Sequence, residues 1–377
     1  MTRLFQKIVH KSYAFIENTL FAHFSFFTKK NTLLLLRIDS IGDYILFRNF
    51  IQELKNSEQY KNHKITLCGN TWWKELSEQL DGIFIEQFIW VDYNSMNDNK
   101  YRFKLLKKIF FSGFDVVIHP TYSRDIHGDM IVRYSGARYK IGYDGDTIAQ
   151  PKEVIEHNNS FYTQLITSSY PYRFEFYRNK DFFESLLGKE IKLLRPSIQT
   201  TKTEQNTAIF FPGAKDAFRR WSPLYFAQLT KLLAAYYPGL KVVICGSATD
   251  SVLANEIIKH STETVLDHTG KFNLPELINV MAAAKLIVAN DSGPFHIATA
   301  LNKNVVCISN GNNYGRFTPY PPEMKTNSIV LYPPKVLSYN EEDRLHHFYK
   351  MVKDIDINDI TAEQVFSTIK NHFKLNE

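Results

Sequence analysis

Ala284-Lys-Leu-Ile-Val-Ala-Asn-Asp-Ser-Gly-Pro-Phe-His-Ile-Ala-Thr-Ala-Leu301, followed by Val305-Val-Cys-Ile-Ser309, reads as a buried strand, a tight polar turn, a small-residue helix and a second strand. Leu286–Ala289 is a short continuous apolar run, as expected of a parallel strand covered on both faces. Asn290-Asp291-Ser292-Gly293 breaks that run, and Pro294 suits the first turn of a helix, where its missing N–H costs nothing. Asp291 or Ser292 can supply the N-cap. The turn then lies at the carboxyl end of a strand, the edge where open α/β sheets bind ligands. Free amides and the positive end of a helix favour an anion such as a diphosphate there. Asp291 and His296 add a hydroxyl-binding carboxylate and a donor, although an ordinary βα turn with a capping Asp would read the same way.

Working outward, 377 residues are enough for two domains, each with its own core. Hydrophobic content of 44% and charged content of 22% describe a globular chain. The 29 Phe and 21 Tyr suggest amphipathic surfaces as well as cores. A net charge of +6 permits phosphate-bearing substrates or an anionic membrane surface without arguing for nucleic acid. Cys68, Cys245 and Cys307 sit in or at the end of apolar runs, without a CxxC, and are expected as buried thiols in a reducing compartment. Residues 1–30 place Phe5, Ile8, Phe15, Ile16 and Leu20 at roughly helical spacing among Arg3, Lys7, Lys11, Lys29 and Lys30. Those charges interrupt any run long enough to cross a bilayer, and no small-residue cleavage site follows. The segment reads as an amphipathic extension, lying either on a membrane surface or on the protein itself.

Beyond it, strand and helix alternate. Strands are expected at Thr32–Leu36, Lys64–Cys68, Gly82–Glu86 and Asp115–His119, with helices over Tyr44–Leu54 and Trp72–Leu80. Residues 122–195 are aromatic- and Arg-rich and carry no clear pattern. A polar stretch at 196–207 reads as a linker. The alternation restarts at Ala208–Phe211, with a helix opened by Ser222-Pro223 and a strand at Lys241–Cys245. Asn273-Leu-Pro-Glu276 and Thr361-Ala-Glu-Gln364 are capping signatures of two further helices. The resulting division is 31–195, linker 196–207, 208–345 and a helical tail 346–377. Two restarts of one β/α alternation imply an α/β protein of two Rossmann-like domains facing across a cleft.

Two loops carry candidate chemistry. Arg37-Ile-Asp-Ser-Ile-Gly-Asp43 puts Asp43 at the head of a helix, as a general base or as a first-turn charge favoured by the helix dipole. Pro212-Gly-Ala-Lys-Asp-Ala-Phe-Arg-Arg-Trp221 gathers Lys215, Arg219 and Arg220 ahead of a helix N-terminus, where cations oppose the dipole. A bound phosphate reverses that penalty; a solvated basic loop is the plainer reading. Asp144-Gly-Asp146 is a DxD triplet of the metal-binding kind, but it follows no evident strand. There is no P-loop, no GxGxxG after the first strand, no HExxH and no basic stripe interleaved with aromatics.

Taken together, these stretches resemble glycosyltransferase family 9, the bacterial heptosyltransferases of lipopolysaccharide core assembly. The resemblance rests on Leu33–Asp43, Arg138–Tyr143, Phe211–Ala214 leading to Arg220–Pro223, Val243–Gly246, Thr269–Leu277 and Asn290–Ala300, in order. It implies a GT-B architecture with the donor held mainly by the second domain. It also implies inverting, metal-independent transfer from a nucleotide-diphosphate sugar, commonly ADP-heptose, with no other cofactor. By position, Asp43 matches the acceptor-deprotonating base, beside Gly42. Arg219 stands where the family usually has a Lys against the donor diphosphate, and an Arg keeps the charge and can bind bidentately. Ala214, Lys215 and Arg220 share that loop, Phe272 matches the residue packing on the nucleotide base, and Asp291, Ser292, Gly293 and His296 match the turn around ribose, diphosphate and sugar. His119, Arg124 and Arg138 are the candidates for an anionic glycolipid or oligosaccharide acceptor. The expected setting is the cytoplasm, peripheral on the inner membrane, with no nucleic-acid partner. The alternatives are another nucleotide-sugar donor, or a non-catalytic sugar-nucleotide or glycan-binding protein.

Overall fold

A computed structural model describes Glu17, Thr19 and residues 28–375. The amphipathic extension therefore lies outside the described residues, apart from Glu17, Thr19 and 28–30. Two compact units make up the chain: the first runs to Pro171 and takes in Tyr177–Leu193, and the second holds Tyr172–Phe176 and everything from Leu194 onward.

The first unit contains strands β1 (Lys29–Arg37), β2 (Lys64–Asn70), β3 (Gln87–Val91), β4 (Phe114–His119), β5 (Tyr139–Tyr143) and β6 (Gln164–Ile166). Its helices are α1 (Ile41–Phe47), α2 (Asn49–Lys55), α3 (Lys74–Asp81), α4 (Asn99–Ser112), α5 (Ile126–Tyr134) and α6 (Lys152–Asn159). Helix α7 spans Glu175–Leu187. The six strands are all parallel, in the order β3-β2-β1-β4-β5-β6, with Leu33 opposite Ile65 and Val116. Leu33–Leu36 are fully buried because the sheet is covered on both faces. Leu34 and Leu36 meet Leu105, Leu106, Ile109 and Ile131. Among the helices, Phe50 stacks on Phe183 at 5.4 Å. Truncating any of these leucines to Ala should cost about 2–5 kcal/mol.

In the second unit the strands are β7 (Gln205–Phe211), β8 (Lys241–Ile244), β9 (Val265–Asp267), β10 (Ala284–Asn290), β11 (Val305–Ile308) and β12 (Ser328–Leu331). Helices α8 (Pro223–Tyr236), α9 (Ser251–His260), α10 (Leu274–Ala283), α11 (Gly293–Ala300), α12 (Pro334–Leu337), α13 (Glu341–Phe348) and α14 (Ala362–His372) complete it. The order β12-β11-β10-β7-β8-β9 is again parallel and, read from β9, repeats the first sheet. Trp221, Phe226, Leu229, Ile257, Val365 and Ile369 form its core, and the Trp221 indole donates to the Ile360 carbonyl at 2.7 Å. The short segment before residue 177 is fixed within this unit. Glu175 forms a buried ion pair with Arg316 at 3.3 Å, Tyr349 exchanges two hydrogen bonds with Arg173, and Phe174 packs on Tyr320 at 4.9 Å.

Where local chemistry is strong, the elements match the sequence reading. Ser222 caps α8, and full capping boxes open α10 and α14. Three expectations are corrected. Gly82–Phe84 is a 3-10 turn, and the third strand is Gln87–Val91, because the Gly82 run is too exposed to be a buried strand. The expected helix over Tyr44–Leu54 is divided into α1 and α2 at Arg48, whose backbone stays helical and whose side chain pairs with Asp81 at 2.7 Å. The DxD triplet does follow a strand, β5, directly; there Asp146 accepts from Ser123 Oγ and the Ile148 amide, bracing its own turn. Cys68, Cys245 and Cys307 are free and buried. Among the described residues no helix is long and apolar enough to cross a membrane.

Candidate active site

Each sheet reverses its winding once, between β1 and β4 in the first unit and between β7 and β10 in the second. At such a point the flanking loops diverge at the carboxyl edge and leave a crevice. The loops that carry Asp43, Arg219 and Asp291 sit at these two points.

In the second unit, Asn290 ends β10 and joins both loops, donating to the Pro212 carbonyl at 2.7 Å and accepting from the Trp221 amide at 3.1 Å. Arg219 donates to the Asp291 carbonyl and lies 3.4 Å from its carboxylate, whose other oxygen accepts from Ser309 Oγ at 3.2 Å. Arg220 folds back on the Ala214 carbonyl at 2.8 Å, and Lys215 is exposed. The loop cations therefore do not face a helix end alone: Arg219 is held by a carboxylate from across the switch point. Ser292 occupies the cap position of α11 but turns its hydroxyl to the Asn290 carbonyl, so no side chain caps the leading amides beside Gly293. Pro294 has no N–H and the Phe295 amide donates to the Ser292 carbonyl at 3.1 Å, so an anion at that end would find the Gly293 N–H and Arg219 together.

His296 lies in α11, almost fully buried, with Nδ1 3.0 Å from the Tyr320 hydroxyl. Burial pushes its pKa down to about 4, Asp291 opposing and Arg219 assisting, so the ring is neutral at pH 7. Phe272 is half-buried after β9, its ring edge-on to His268 at 5.6 Å. It lies at the same sheet edge, on the far side of β8.

In the first unit, β1 ends on Arg37, a fully buried guanidinium. It pairs with Asp39 at 2.7 Å, approaches Asp43 to 3.8 Å, donates to Asn179 at 2.9 Å and lies over the Phe47 ring. Asp43 sits in the first turn of α1 after the buried Gly42, where the dipole favours its charge. Asn70 and Trp73 fix the connecting loop through the Ile38 and Asp39 carbonyls.

Of the other candidates in this unit, His119 ends β4 and is buried, with Nδ1 2.8 Å from the Tyr162 hydroxyl. That hydroxyl has one proton and gives it to Asp129 at 2.6 Å, so the imidazole must donate from Nδ1. Burial pushes the His119 pKa down to about 3. Arg124 is buried over the Tyr162 ring at 4.6 Å and 3.4 Å from Asp129, whose second oxygen accepts from Gln150 and Asn158. Gly128 is required here, since a Cβ would come within 2.7 Å of the His119 ring. His119 and Arg124 are thus enclosed in one network. Arg138 is exposed, 3.8 Å from Asp115, at the amino edge of the sheet and opposite the Asp43 edge.

The partners Arg37, Asn179, Tyr162, Asp129 and Tyr320 were not picked out from the sequence. Only Arg37 left a signal, a lone cation ending an apolar run and followed by Asp39 and Asp43.

Residues 102–345, well over half of the chain, match Glycosyltransferase family 9 (heptosyltransferase). The chain is 23% identical over 338 residues to lipooligosaccharide heptosyltransferase 2 of Haemophilus influenzae, covering 84% of this chain and 93% of that protein. The Escherichia coli ADP-heptose LPS heptosyltransferase II superposes with a TM-score of 0.64 at 19% identity, covering 90% of this chain and 98% of its own. Escherichia coli heptosyltransferase WaaC with ADP gives 0.68 at 16% identity, covering 90% and 99%. Those superpositions show the GT-B fold; the family match shows the lineage. This chain is a glycosyltransferase and belongs to glycosyltransferase family 9, the heptosyltransferases.

Proposed function

We propose that the protein transfers heptose from ADP-heptose to a hydroxyl of a lipopolysaccharide core or related surface glycan, with inversion and without a metal ion. The reading is carried chiefly by the two carboxylate–arginine sets at the two switch points, one offering a base and the other a phosphate-binding cation. The relatives' activities and the ADP-bound neighbour support the donor.

Asp43 takes the acceptor proton as the hydroxyl oxygen attacks the anomeric carbon. The bond to the diphosphate breaks on the opposite face, which inverts the centre, and ADP leaves with its electron pair. Arg219, Lys215 and the Gly293 amide at the head of α11 offset the charge building on the diphosphate, the task a metal performs elsewhere. Asp291 holds Arg219 in place. Phe272 packs on the base, and neutral His296 hydrogen-bonds the donor without adding charge. The acceptor is a membrane glycolipid met at the cytoplasmic face of the inner membrane.

Calorimetry with ADP-heptose, with and without EDTA, tests the donor. Tight, EDTA-insensitive binding that Arg219→Ala weakens and Asp43→Ala leaves intact is the expected result. Preference for a UDP- or GDP-sugar would move the donor assignment and leave the fold untouched. NMR of the product reads its anomeric configuration.

A further inference from the structure

From the surface of α4 we infer a docking face for an anionic phospholipid bilayer; the inference rests on the reading that the acceptor is membrane-anchored. Helix α4 buries Arg102, Leu105, Leu106 and Ile109. Its opposite face exposes Lys100, Lys104, Lys107 and Lys108, three and four residues apart, and the stripe continues into Phe111, 68% exposed. No Asp or Glu occurs in Asn99–Ser112. Like charges at i,i+3 and i,i+4 oppose helix formation. Some other surface lysines show the usual remedy, as in Lys55–Glu86 at 2.8 Å and Lys189–Glu53 at 3.1 Å. Among the described residues the four α4 lysines have no such ion pair.

The row does not end with the helix. Gly113 closes α4 in the left-handed region, and its carbonyl accepts from the Lys29 amide at 2.7 Å, bringing exposed Lys29 and Lys30 to the Phe111 end. Four cations and an exposed aromatic ring along one helix face, with Lys29 and Lys30 near its end, match an interfacial surface, the lysines meeting headgroups and the ring entering below them. A single exposed ring at the end of the row offers no succession of platforms for stacked bases, which favours the bilayer over nucleic acid. The helix runs from the carboxyl edge of the sheet, where Asp43 lies, to the amino edge. A bilayer along it would reach the edge that handles the acceptor.

The test uses the full chain and vesicles of phosphatidylcholine, with and without phosphatidylglycerol and free of any glycolipid. Partitioning should need phosphatidylglycerol and weaken with salt. The triple variant Lys104→Glu, Lys107→Glu, Lys108→Glu should lose on the order of tenfold or more, and Phe111→Ser less. The matching triple Arg variant should retain binding, which excludes misfolding. Equal binding by wild type and the Glu variant, or loss only on deleting residues 1–27, would overturn the inference. ADP-heptose binding is measured on the same samples. Vesicle binding that follows the lysines in a chain unable to bind ADP-heptose would sink the functional reading and leave the docking face standing.

Discussion

The two switch points use the same strand order and the same pair of charges, with the roles exchanged. In the first unit the cation is the hidden partner: the Arg37 side chain is 0% exposed and Asp43 18%. In the second, Asp291 is 5% exposed and Arg219 18%. One crevice therefore presents a carboxylate backed by a buried guanidinium, and the other a guanidinium backed by a buried carboxylate. The histidines extend the parallel. His119 is the last residue of the fourth strand of its unit and His296 lies in the helix after the fourth strand of the other; both are buried, and both put Nδ1 on a tyrosine hydroxyl. One topology can serve opposite charges because the switch point supplies the opening, and the residue left uppermost decides what it attracts.

The sharpest break in the parallel should come from Asp43→Asn. With the base removed, kcat should fall about 10²–10⁴-fold while calorimetric donor affinity stays within about twofold. An equal loss of both would show that Asp43 belongs to the donor site instead.

Acid should act on the two units alike. Each histidine has a folded pKa below its ordinary 6.5, about 3 for His119 and about 4 for His296. The folded state therefore binds fewer protons than the unfolded one, and protonation favours unfolding. Stability is complete above pH 6.5 and falls by about 1.4 kcal/mol per pH unit for each histidine as pH drops toward those values. Denaturant titrations between pH 7 and 5 should show this slope, and His119→Gln and His296→Gln should each flatten it. A slope that neither substitution changes would assign the acid sensitivity to other groups.

Arg219→Ala should weaken ADP-heptose binding about 10–100-fold and lower stability by about 1–3 kcal/mol, because Asp291 stays buried without its cation. Arg219→Lys should recover much of the affinity but lack the fork that reaches the Asp291 carbonyl. Arg138→Ala should do least, under about 1 kcal/mol in stability with kcat unchanged, as an exposed ion pair at the opposite edge. A raised acceptor KM in that variant would mean that the acceptor extends to the amino edge.

The sequence disclosed what local chemistry governs. Ser222-Pro223, Asn273 with Glu276, and Thr361 with Gln364 each satisfy helix-end amides within four residues, so the helix starts could be read directly. The apolar runs at Leu33–Leu36 and Leu286–Ala289 gave both central strands. Gly82–Glu86 misled because an apolar run of that length fits a 3-10 turn as well as a strand. Residues 122–195 resisted because their order depends on burying Arg124 and Arg178, and a buried arginine is set by distant partners. Arg37 finds Asn179 142 residues away, and Tyr162 finds Asp129 33 residues away. Candidate positions could thus be named from motif spacing, while the groups that hold them could not.

The short segment Tyr172–Phe176 sets a rule for recombination. A single crossover at residue 193, exchanging everything after it for a relative's second half, would leave Arg173, Phe174 and Glu175 behind. They would then face a foreign replacement for Tyr349, Tyr320 and Arg316, and any mismatch would strand a buried Glu175. Chimeras meant to graft one donor preference onto another acceptor preference should exchange two blocks, 172–176 together with the region from Leu194. Inheritance of the second unit is discontinuous along the gene, although the unit itself is continuous in space.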